Sequence, residues 1–247
     1  MYNKKAALYY DYFVGKGDIP FFRRLLLRLG GAVLDMGCGT GTMALDFAGA
    51  GLEVVGVDNS PYMLDMADSR RDKLTPRVKE RVEFVEGDMQ DFPWDHQFST
   101  AIFARGSFAH LLSSEEQMAC LANVRKLLEV GGRIVLDLSP PSIEFLQGGT
   151  KLGETVGVDG DIKLLRTIHT RCDLNRQLCH HTVIYEQYRG GVLQERVLGE
   201  LSLSLLFPRE VMLLLQASGF SIQEIYGDAH GESFTSTSRR LIVVASK

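Results

Sequence analysis

Short apolar runs alternate with segments of helical length between Ala32 and Leu138. The runs predict five strands, namely Ala32–Met36, Glu53–Val57, Arg81–Val85, Ser99–Phe103 and Arg133–Leu138. They show little alternation of apolar and polar residues, which is typical of strands that are covered on both faces. Strands separated by helices indicate a parallel sheet with helices packed on its two sides.

The segments between these strands contain helix start and stop signals. They predict three helices, namely Thr42–Ala50, Ser60–Lys73 and Ser114–Glu129. Pro61 stands at the first helical position behind a capping Ser60, and Ser114 with Gln117 forms a capping box. Gly131 follows the last of these helices, as glycine commonly does at a helix end.

The pattern changes after Ser139. Residues Asp161–Phe207 have no helical period and are rich in β-forming residues. They predict three antiparallel strands, which are joined by turns at Leu174–Gln177 and Arg189–Gly191. A helix is predicted again at Pro208–Ser218, with proline at its start and glycine just past its end.

Two further strands, Ser221–Tyr226 and Arg240–Ala245, complete a sheet of seven. We therefore expect an α/β fold, a doubly wound and mostly parallel seven-stranded sheet with an antiparallel β insert after the fifth strand. Residues 1–247 are expected to form a single domain. Within it, residues 1–29 are expected to form an N-terminal helical lid and residues 139–207 the insert.

Composition narrows the function classes. The 247 residues include 27 Lys and Arg against 31 Asp and Glu, a net charge of −4, which argues against a strongly basic nucleic-acid binder. We expect no membrane span, because no apolar run is long enough, and the N-terminus lacks the apolar core of a secretory signal. The four scattered cysteines form no disulfide framework, so a cytoplasmic location is expected.

The segment Asp35–Gly41, with the sequence DMGCGTG, leaves the first strand and opens a helix. Glycines at such a turn let the backbone approach a ligand without an intervening Cβ. The spacing does not fit the dinucleotide-binding fingerprint, and no Lys-Ser/Thr pair follows as in a phosphate loop. Asp35 would also bring a carboxylate close to a pyrophosphate. The loop therefore favours a cationic or zwitterionic ligand.

Two further acids follow strands. Asp58 ends the second strand and could accept hydrogen bonds from two ribose hydroxyls. The alternative interpretation is that it caps the helix ahead of Ser60. Asp88 follows the third strand and could accept from an adenine amino group, with Met89 offering a backbone N–H. A Gly-Asp pair is also common in simple loops, which is the alternative interpretation of Asp88.

With these three features in order, Val33–Met89 resembles the class I S-adenosylmethionine (SAM)-dependent methyltransferases. The resemblance implies that the glycine loop surrounds the methionine portion of SAM, that Asp58 holds the ribose and that Asp88 meets the adenine. It extends over the α/β part of the chain. The cofactor-binding residues that it implies are Asp35, Gly37, Cys38, Gly39, Gly41, Asp58, Asn59, Met63, Asp88, Met89 and Arg105.

Methyl transfer to an amine or hydroxyl requires alignment, exclusion of water and removal of a proton. In folds of this class the acceptor lies over the C-terminal ends of the strands, so the base should come from there. His110, after the fourth strand, is the first candidate. The cluster Tyr9–Tyr12 is the second, if the N-terminal helix folds over the site, and His230 is the third.

A narrower resemblance supports two of these residues. Tyr9–Tyr12, the segment Ser107–Leu111, the long insert and the helix at Phe207–Glu210 resemble small-molecule methyltransferases, including those that act on amines of nucleotide-linked deoxysugars. That resemblance implies catalytic roles for Tyr10 and His110. Ala109 departs from the subgroup, which has glycine at this position. The alternatives are that His110 caps its loop and that the tyrosines pack the N-terminal helix on the core.

The insert contains its own candidate site. If the turn centres on Asn175–Arg176, Cys172 faces Cys179, and the pair could form a disulfide or contribute to a zinc site. Adjacent residues on a strand point to opposite faces, so His180 and Cys179 cannot easily share an ion, and we expect no metal. Two small buried thiols are the interpretation that the sequence favours.

The sequence thus predicts a SAM-dependent methyltransferase that acts on an N or O atom of a small molecule, as a monomer or homodimer. The insert is expected to cover the acceptor site or to form an interface. The alternatives are a catalytically inactive cofactor-binding subunit and an RNA methyltransferase. The second is disfavoured because Ala104–Ser107 occupies the position of a catalytic N-P-P-Y tetrapeptide.

Overall fold

The computed structural model describes residues 4–247, apart from the side chains of residues 4, 151, 152, 154 and 159. The chain divides into two compact units. The sheet unit consists of Gly17–Pro141 and Leu206–Lys247. The insert unit consists of the described residues up to Lys16 together with Ser142–Leu205. No helix within the described residues is long and apolar enough to cross a membrane.

In chain order, the strands are β1 (Val33–Met36), β2 (Val54–Asp58), β3 (Val82–Glu86), β4 (Phe98–Phe103), β5 (Leu128–Leu138), β6 (Gly149–Asp159), β7 (Ile162–Asp173), β8 (Leu178–Arg189), β9 (Val192–Ser204), β10 (Ser221–Tyr226) and β11 (Leu241–Ser246). The helices are α1 (Lys4–Tyr10), α2 (Ile19–Leu29), α3 (Thr42–Gly49), α4 (Pro61–Arg71), α5 (Pro76–Lys79), α6 (Ser114–Leu127), α7 (Ile143–Leu146) and α8 (Pro208–Ala217). A 3₁₀ turn spans Ser107–His110.

The sheet unit contains a seven-stranded sheet with the order β10-β11-β5-β4-β1-β2-β3. Strands β1 to β5 are parallel, whereas β11 runs antiparallel to both of its neighbours. The predicted α/β fold with a mostly parallel sheet is therefore confirmed. Because β1 connects outward to β2 and β4 connects outward to β5, the chain reverses direction between β1 and β4. Ligands of open α/β sheets bind at such a switch point, beyond the carboxyl ends of the strands.

Successive residues of the central strands pack on opposite sides of the sheet. Leu34 and Met36 belong to one hydrophobic cluster, whereas Val33 belongs to the other. Ile102 and Phe103 on β4 divide in the same way. Burial on both faces explains why the strands are apolar without alternation. The rigid double core holds the carboxyl ends of β1 and β4 side by side.

Helix α6 begins with a side-chain cap at Ser113, one residue before the predicted capping box. The Ser113 side chain accepts a hydrogen bond from Glu116 N at 3.2 Å, and Glu116 Oε2 accepts from Leu112 N at 2.6 Å. The predicted helix cap, formed by Ser114 with Gln117, was wrong by one residue. The sequence contains two overlapping Ser-x-x-Glu/Gln patterns, and the helix uses the one that begins at Ser113. Gln117 is buried instead, and its amide donates to Leu111 O at 3.1 Å. The helix also ends two residues before the predicted Glu129.

The insert unit is a four-stranded antiparallel sheet with the order β6-β7-β8-β9. The sequence predicted three of these strands and missed β6. Both predicted turns are present, since β7 ends at Asp173 and β8 at Arg189. Helix α1 covers part of this sheet, where Ala6 packs in a cluster with Tyr185. The other helix of the predicted N-terminal lid, α2, falls in the sheet unit.

Cys172 and Cys179 face each other across the β7–β8 hairpin with a Cα–Cα distance of 4.1 Å, and they form a disulfide. Of the alternatives that the sequence left open, the structure contains the cross-link, and the favoured interpretation of two reduced thiols was wrong. Cross-strand residues that lie directly opposite each other are close enough for such a bond. Within the described residues, no group of three or more His, Cys, Asp or Glu could hold a metal ion.

Candidate functional site

The glycine loop connects β1 to α3 at the switch point of the sheet. Gly37 N and Cys38 N both donate to Val57 O, at 2.8 and 3.0 Å, which fixes the loop against the end of β2. A Cβ on Gly37 would lie 2.6 Å from Ser107 Cβ, so no larger residue fits there. A Cβ on Gly39, which has φ +56°, would meet no atom within 4 Å. The loop thus presents the bare backbone of Gly39 to open space, where a ligand can approach closely.

Asp58 supports this loop from the end of β2. Its Oδ2 accepts from Gly39 N at 2.8 Å and its Oδ1 accepts from Ser60 N at 2.9 Å. Burial raises the pKa of the Asp58 carboxyl, and the backbone N–H groups oppose that shift. Each carboxylate oxygen can accept a second hydrogen bond, so the side chain can still receive two hydroxyls.

Ser60 stands at the N-cap position of α4, as predicted, but its side chain makes no capping hydrogen bond. Its Oγ is buried and has no partner within the described residues. A buried hydroxyl without a partner is costly, and it suits a site that receives a polar ligand.

Asp35 is the most deeply buried acid at the site, with 2% of its surface exposed. Burial raises the pKa of its carboxyl to about 7, Arg105 opposes that rise, and the nearby Asp58 adds to it. A cationic ligand group would stabilise the ionised form in this apolar environment. Burial also raises the pKa of the Cys38 thiol well above its ordinary range, with contributions from Asp35 and Asp58, so this thiol stays protonated.

The remaining predicted cofactor residues surround the same edge of the sheet. Asp88 is exposed, and its Oδ1 accepts from Gln90 N at 2.8 Å. Met89 Cε lies 3.8 Å from the position of a Cβ on Gly37. Met63 is buried in the first turn of α4, and Asn59 is exposed beside Asp58.

The loop after β4 packs against the glycine loop. Ser107 Oγ donates to Met36 O at 2.7 Å, a contact that the sequence did not predict. His110 ends the 3₁₀ turn that follows and is exposed, as a residue that meets an acceptor must be. His230, the third base candidate, lies in a turn in which Asp228 Oδ1 accepts from the N–H groups of His230 and Gly231.

The Arg105 side chain makes a contact that the sequence did not predict. Its Nη2 and Nε donate to the two carboxylate oxygens of Asp18, at 2.6 and 3.1 Å. Arg240 joins the same group by donating to Asp137 and Asp18. A further residue that sequence reasoning missed is Arg70, which donates to Thr40 Oγ1 at 2.9 Å and so braces the glycine loop from α4. The one available signal for the Arg105 and Arg240 contacts was Asp137, an acid within the apolar run Ile134–Leu138.

The predicted tyrosine cluster belongs to the insert unit. Tyr9 packs on Tyr185 with ring centroids 5.8 Å apart, and its hydroxyl donates to Glu195 Oε2 at 2.8 Å. Burial and this contact raise the pKa of Tyr9 to about 12. Tyr9 therefore packs α1 on the four-stranded sheet of the insert unit. Tyr10 lies close enough to Tyr185 to raise its pKa, a smaller effect than that of burial.

The resemblance to the class I SAM-dependent methyltransferases rests on a glycine loop at the switch point of this sheet, with acids on β1 and β2. A family model described as a methyltransferase domain matches residues 33–132. Cypemycin N-terminal methyltransferase from Streptomyces sp is 28% identical in an alignment of 227 positions that covers 88% of this chain and 84% of that protein.

A second relative is the dTDP-3-amino-3,4,6-trideoxy-alpha-D-glucopyranose N,N-dimethyltransferase of Streptomyces venezuelae. It is 30% identical in an alignment of 146 positions that covers 56% of this chain and 58% of that enzyme. Among solved structures, the CcbJ methyltransferase from Streptomyces caelestis superposes with a TM-score of 0.82 at 26% identity, over 97% of this chain and 94% of its own. The chain is a SAM-dependent methyltransferase, and SAM is its cofactor.

Proposed function

We propose that this methyltransferase transfers its methyl group to an amine nitrogen of a small molecule. The observation that carries the acceptor class is the similarity to an N-terminal methyltransferase along most of the chain and to a sugar-nucleotide N,N-dimethyltransferase along half of it. Both names place the methyl group on nitrogen. The exposed His110, at the end of the 3₁₀ turn that follows β4, supports the same chemistry, because an amine must lose a proton when it is methylated. A cytoplasmic location stays a prediction from the sequence, and the Cys172–Cys179 disulfide removes the cysteine argument for it.

The cofactor would be held at the carboxyl ends of β1 and β2. Bound SAM supplies an electrophilic methyl group on a positively charged sulfonium. Asp35, buried and close to the loop, would bind the ammonium group of the amino-acid portion. Gly39 would let the backbone approach it, and Asp58 would accept from the two ribose hydroxyls while it retains its own backbone contacts. Asp88, Met89, Asn59 and Met63 would surround the adenine.

The acceptor side would be supplied by His110. The role of Tyr10, which belongs to the insert unit, stays a prediction from the sequence. An imidazole is the side chain best suited to take a proton near neutral pH. Methyl transfer needs no strong base once a neutral amine is aligned, so most of the rate would come from orientation and exclusion of water.

The test is a screen of purified enzyme with SAM against small primary amines, each paired with the analogue that carries a hydroxyl in place of the amine. The panel includes an aminosugar nucleotide and a short peptide with a free N-terminus, and mass spectrometry detects the added methyl group. Methylation of amines alone is expected. Methylation of the hydroxyl analogues alone would contradict the acceptor class.

Two histidine variants test whether His110 takes part in the reaction. His110→Ala should lower turnover by roughly 100-fold, the usual contribution of a general base, with little change in cofactor affinity. His96→Ala is the matched control, because His96 is an exposed loop histidine between β3 and β4. Equal rates for the two variants would show that His110 has only a structural role.

A further inference from the structure

Four charged side chains form one compact cluster behind the loop that follows β4. Arg240 donates from Nε and Nη2 to the two carboxylate oxygens of Asp137, at 2.7 and 2.6 Å, and from Nη2 to Asp18 Oδ2 at 2.9 Å. Arg105 donates to both oxygens of Asp18. The Asp137 side chain is 2% exposed, and none of the other three exceeds 22%. Two acids and two guanidinium groups balance in charge.

The cluster is strongly coupled. Burial alone would raise the pKa of Asp18, but the hydrogen bonds and charges of Arg105 and Arg240 outweigh it and lower the pKa. Planar guanidinium groups that hold a carboxylate through two parallel bonds also fix its orientation. The cluster therefore joins the start of α2, the end of β4, the end of β5 and the residue before β11 into one rigid arrangement.

The cluster holds a strained backbone. Among the non-glycine residues that the structure describes, Arg105 and Gln177 alone have positive φ, and Arg105 has φ +52°. This conformation is unfavourable for a residue with a Cβ. It is fixed by Arg105 N, which donates to Asp137 Oδ2 at 2.7 Å, and by Gly106 N, which donates to Asp137 O at 2.9 Å. Gln177 lies in a hairpin turn, whereas Arg105 lies in the loop after β4, which packs against the glycine loop.

The strained residue determines where the next residues go. Ser107, two positions on, is the residue whose Oγ bonds Met36 O and whose Cβ fills the space beside Gly37. The 3₁₀ turn that begins at Ser107 ends at His110. A change in the backbone at Arg105 would therefore shift both the support of the glycine loop and the position of His110.

We propose that Asp18, Arg105, Arg240 and Asp137 form a positioning cluster that fixes the loop after β4 against the glycine loop. Arg105 is then a positioning residue and acts through Ser107, His110 and Asp35, without binding SAM itself. This inference rests on the proposed function, since it assigns the loop a place in cofactor binding and turnover. The glycine loop is sensitive to it because Arg105 is also the cation that acts on Asp35.

The pH dependence of cofactor binding gives a readout that a merely structural role would not move. The groups that act on Asp35 are Arg105, which lowers its pKa from the value that burial gives, and Asp58, which raises it. The neighbouring Cys38 thiol stays neutral. If the ionised Asp35 binds the ammonium group, affinity should increase as the pH rises through about 7. Loss of the Arg105 charge should move this midpoint upward.

The experiment compares wild type with Arg105→Met, Arg105→Lys and the control Arg28→Met. Arg28 is a matched control because it forks in the same way onto Glu224, at 2.9 and 2.7 Å, but at an exposed surface. Calorimetry with S-adenosylhomocysteine between pH 5.5 and 9 gives the affinity profile. Arg105→Met should raise the midpoint by about one pH unit, since a nearby guanidinium lowers a carboxyl pKa by that much or more. Arg105→Lys should restore the midpoint, and Arg28→Met should match wild type.

Turnover with an acceptor found in the screen gives the second readout. Arg105→Lys keeps the charge but loses the fork, so kcat should fall by roughly 10–100-fold while the KM for SAM changes little. Asp18→Asn, which keeps the shape of the side chain, should show the same split and serves if an Arg105 variant does not fold. Unchanged kcat in both Arg105→Lys and Asp18→Asn, or an unshifted midpoint in Arg105→Met, would overturn the proposal. If the wild-type protein does not bind S-adenosylhomocysteine, the proposed cofactor site itself would be contradicted.

Discussion

Asp35 places a measurable cost on the folded protein when no cofactor is bound. Burial raises the pKa of its carboxyl from 3.8 to about 7, a difference of about 3 units. At 1.36 kcal/mol for each unit, this corresponds to about 4 kcal/mol. The folded state holds the proton between pH 3.8 and about 7, whereas the unfolded state has lost it. The free energy of unfolding therefore falls as the pH rises through this window, and the loss is complete above about pH 7.

Asp35→Asn removes this titration while it keeps the size and polarity of the side chain. At pH 4 the side chain at position 35 is uncharged in both folded proteins, so the variant and wild type should differ little in stability. At pH 8 the variant should be the more stable by up to about 4 kcal/mol, because it has no carboxylate to ionise in a buried site. The same variant should lose most of its affinity for S-adenosylhomocysteine, since the ammonium group would no longer meet a carboxylate.

Urea unfolding of both proteins at several pH values, followed by fluorescence, measures the difference directly. The pH dependence of every other group cancels in this difference, apart from the coupling of Asp35 to Asp58 and Arg105. A stability difference that stays constant from pH 4 to pH 8 would refute the raised pKa. A more stable variant that still binds S-adenosylhomocysteine with wild-type affinity would refute the assignment of Asp35 to the ammonium group.

Further substitutions test three separate parts of the structure. Gly39→Ala should cost about 1 kcal/mol of stability, because its φ is positive, and should weaken cofactor binding at least tenfold in calorimetry. Gly51→Ala, also at positive φ with nothing within 4 Å, should show the stability loss alone. Replacing Cys172 and Cys179 together by Ser should lower the free energy of unfolding by about 2 kcal/mol in denaturant titrations, and the variant should no longer respond to dithiothreitol. Ser113→Ala should cost about 1 kcal/mol by the same titration, through loss of the α6 cap.

The sheet could be predicted because its signals are local. Each central strand is a short apolar run with a helix on either side, and burial on both faces makes that pattern strong. Strand β6 was missed because Gly149, Gly153 and Gly157 interrupt its β-forming residues. Its backbone is held as a strand by hydrogen bonds to β7, which its own sequence pattern does not predict.

The site divides in the same way. The glycine loop and Asp58 follow strands directly, so their proximity comes from the topology of a parallel sheet. The cluster around Arg105 could not be predicted, because Asp18 lies 87 positions away from Arg105 and Asp137 lies 103 positions away from Arg240. Such contacts depend on tertiary packing, and periodicity contains no information on them.

The central claim is that SAM binds over Gly39, between the acids that end β1 and β2 and beside the loop after β4. Hydrogen–deuterium exchange of the wild-type protein, with and without S-adenosylhomocysteine, tests it most directly. Protection should concentrate in residues 35–41, 58–63 and 104–110. Protection confined to other parts of the chain, with these three segments unchanged, would contradict the account.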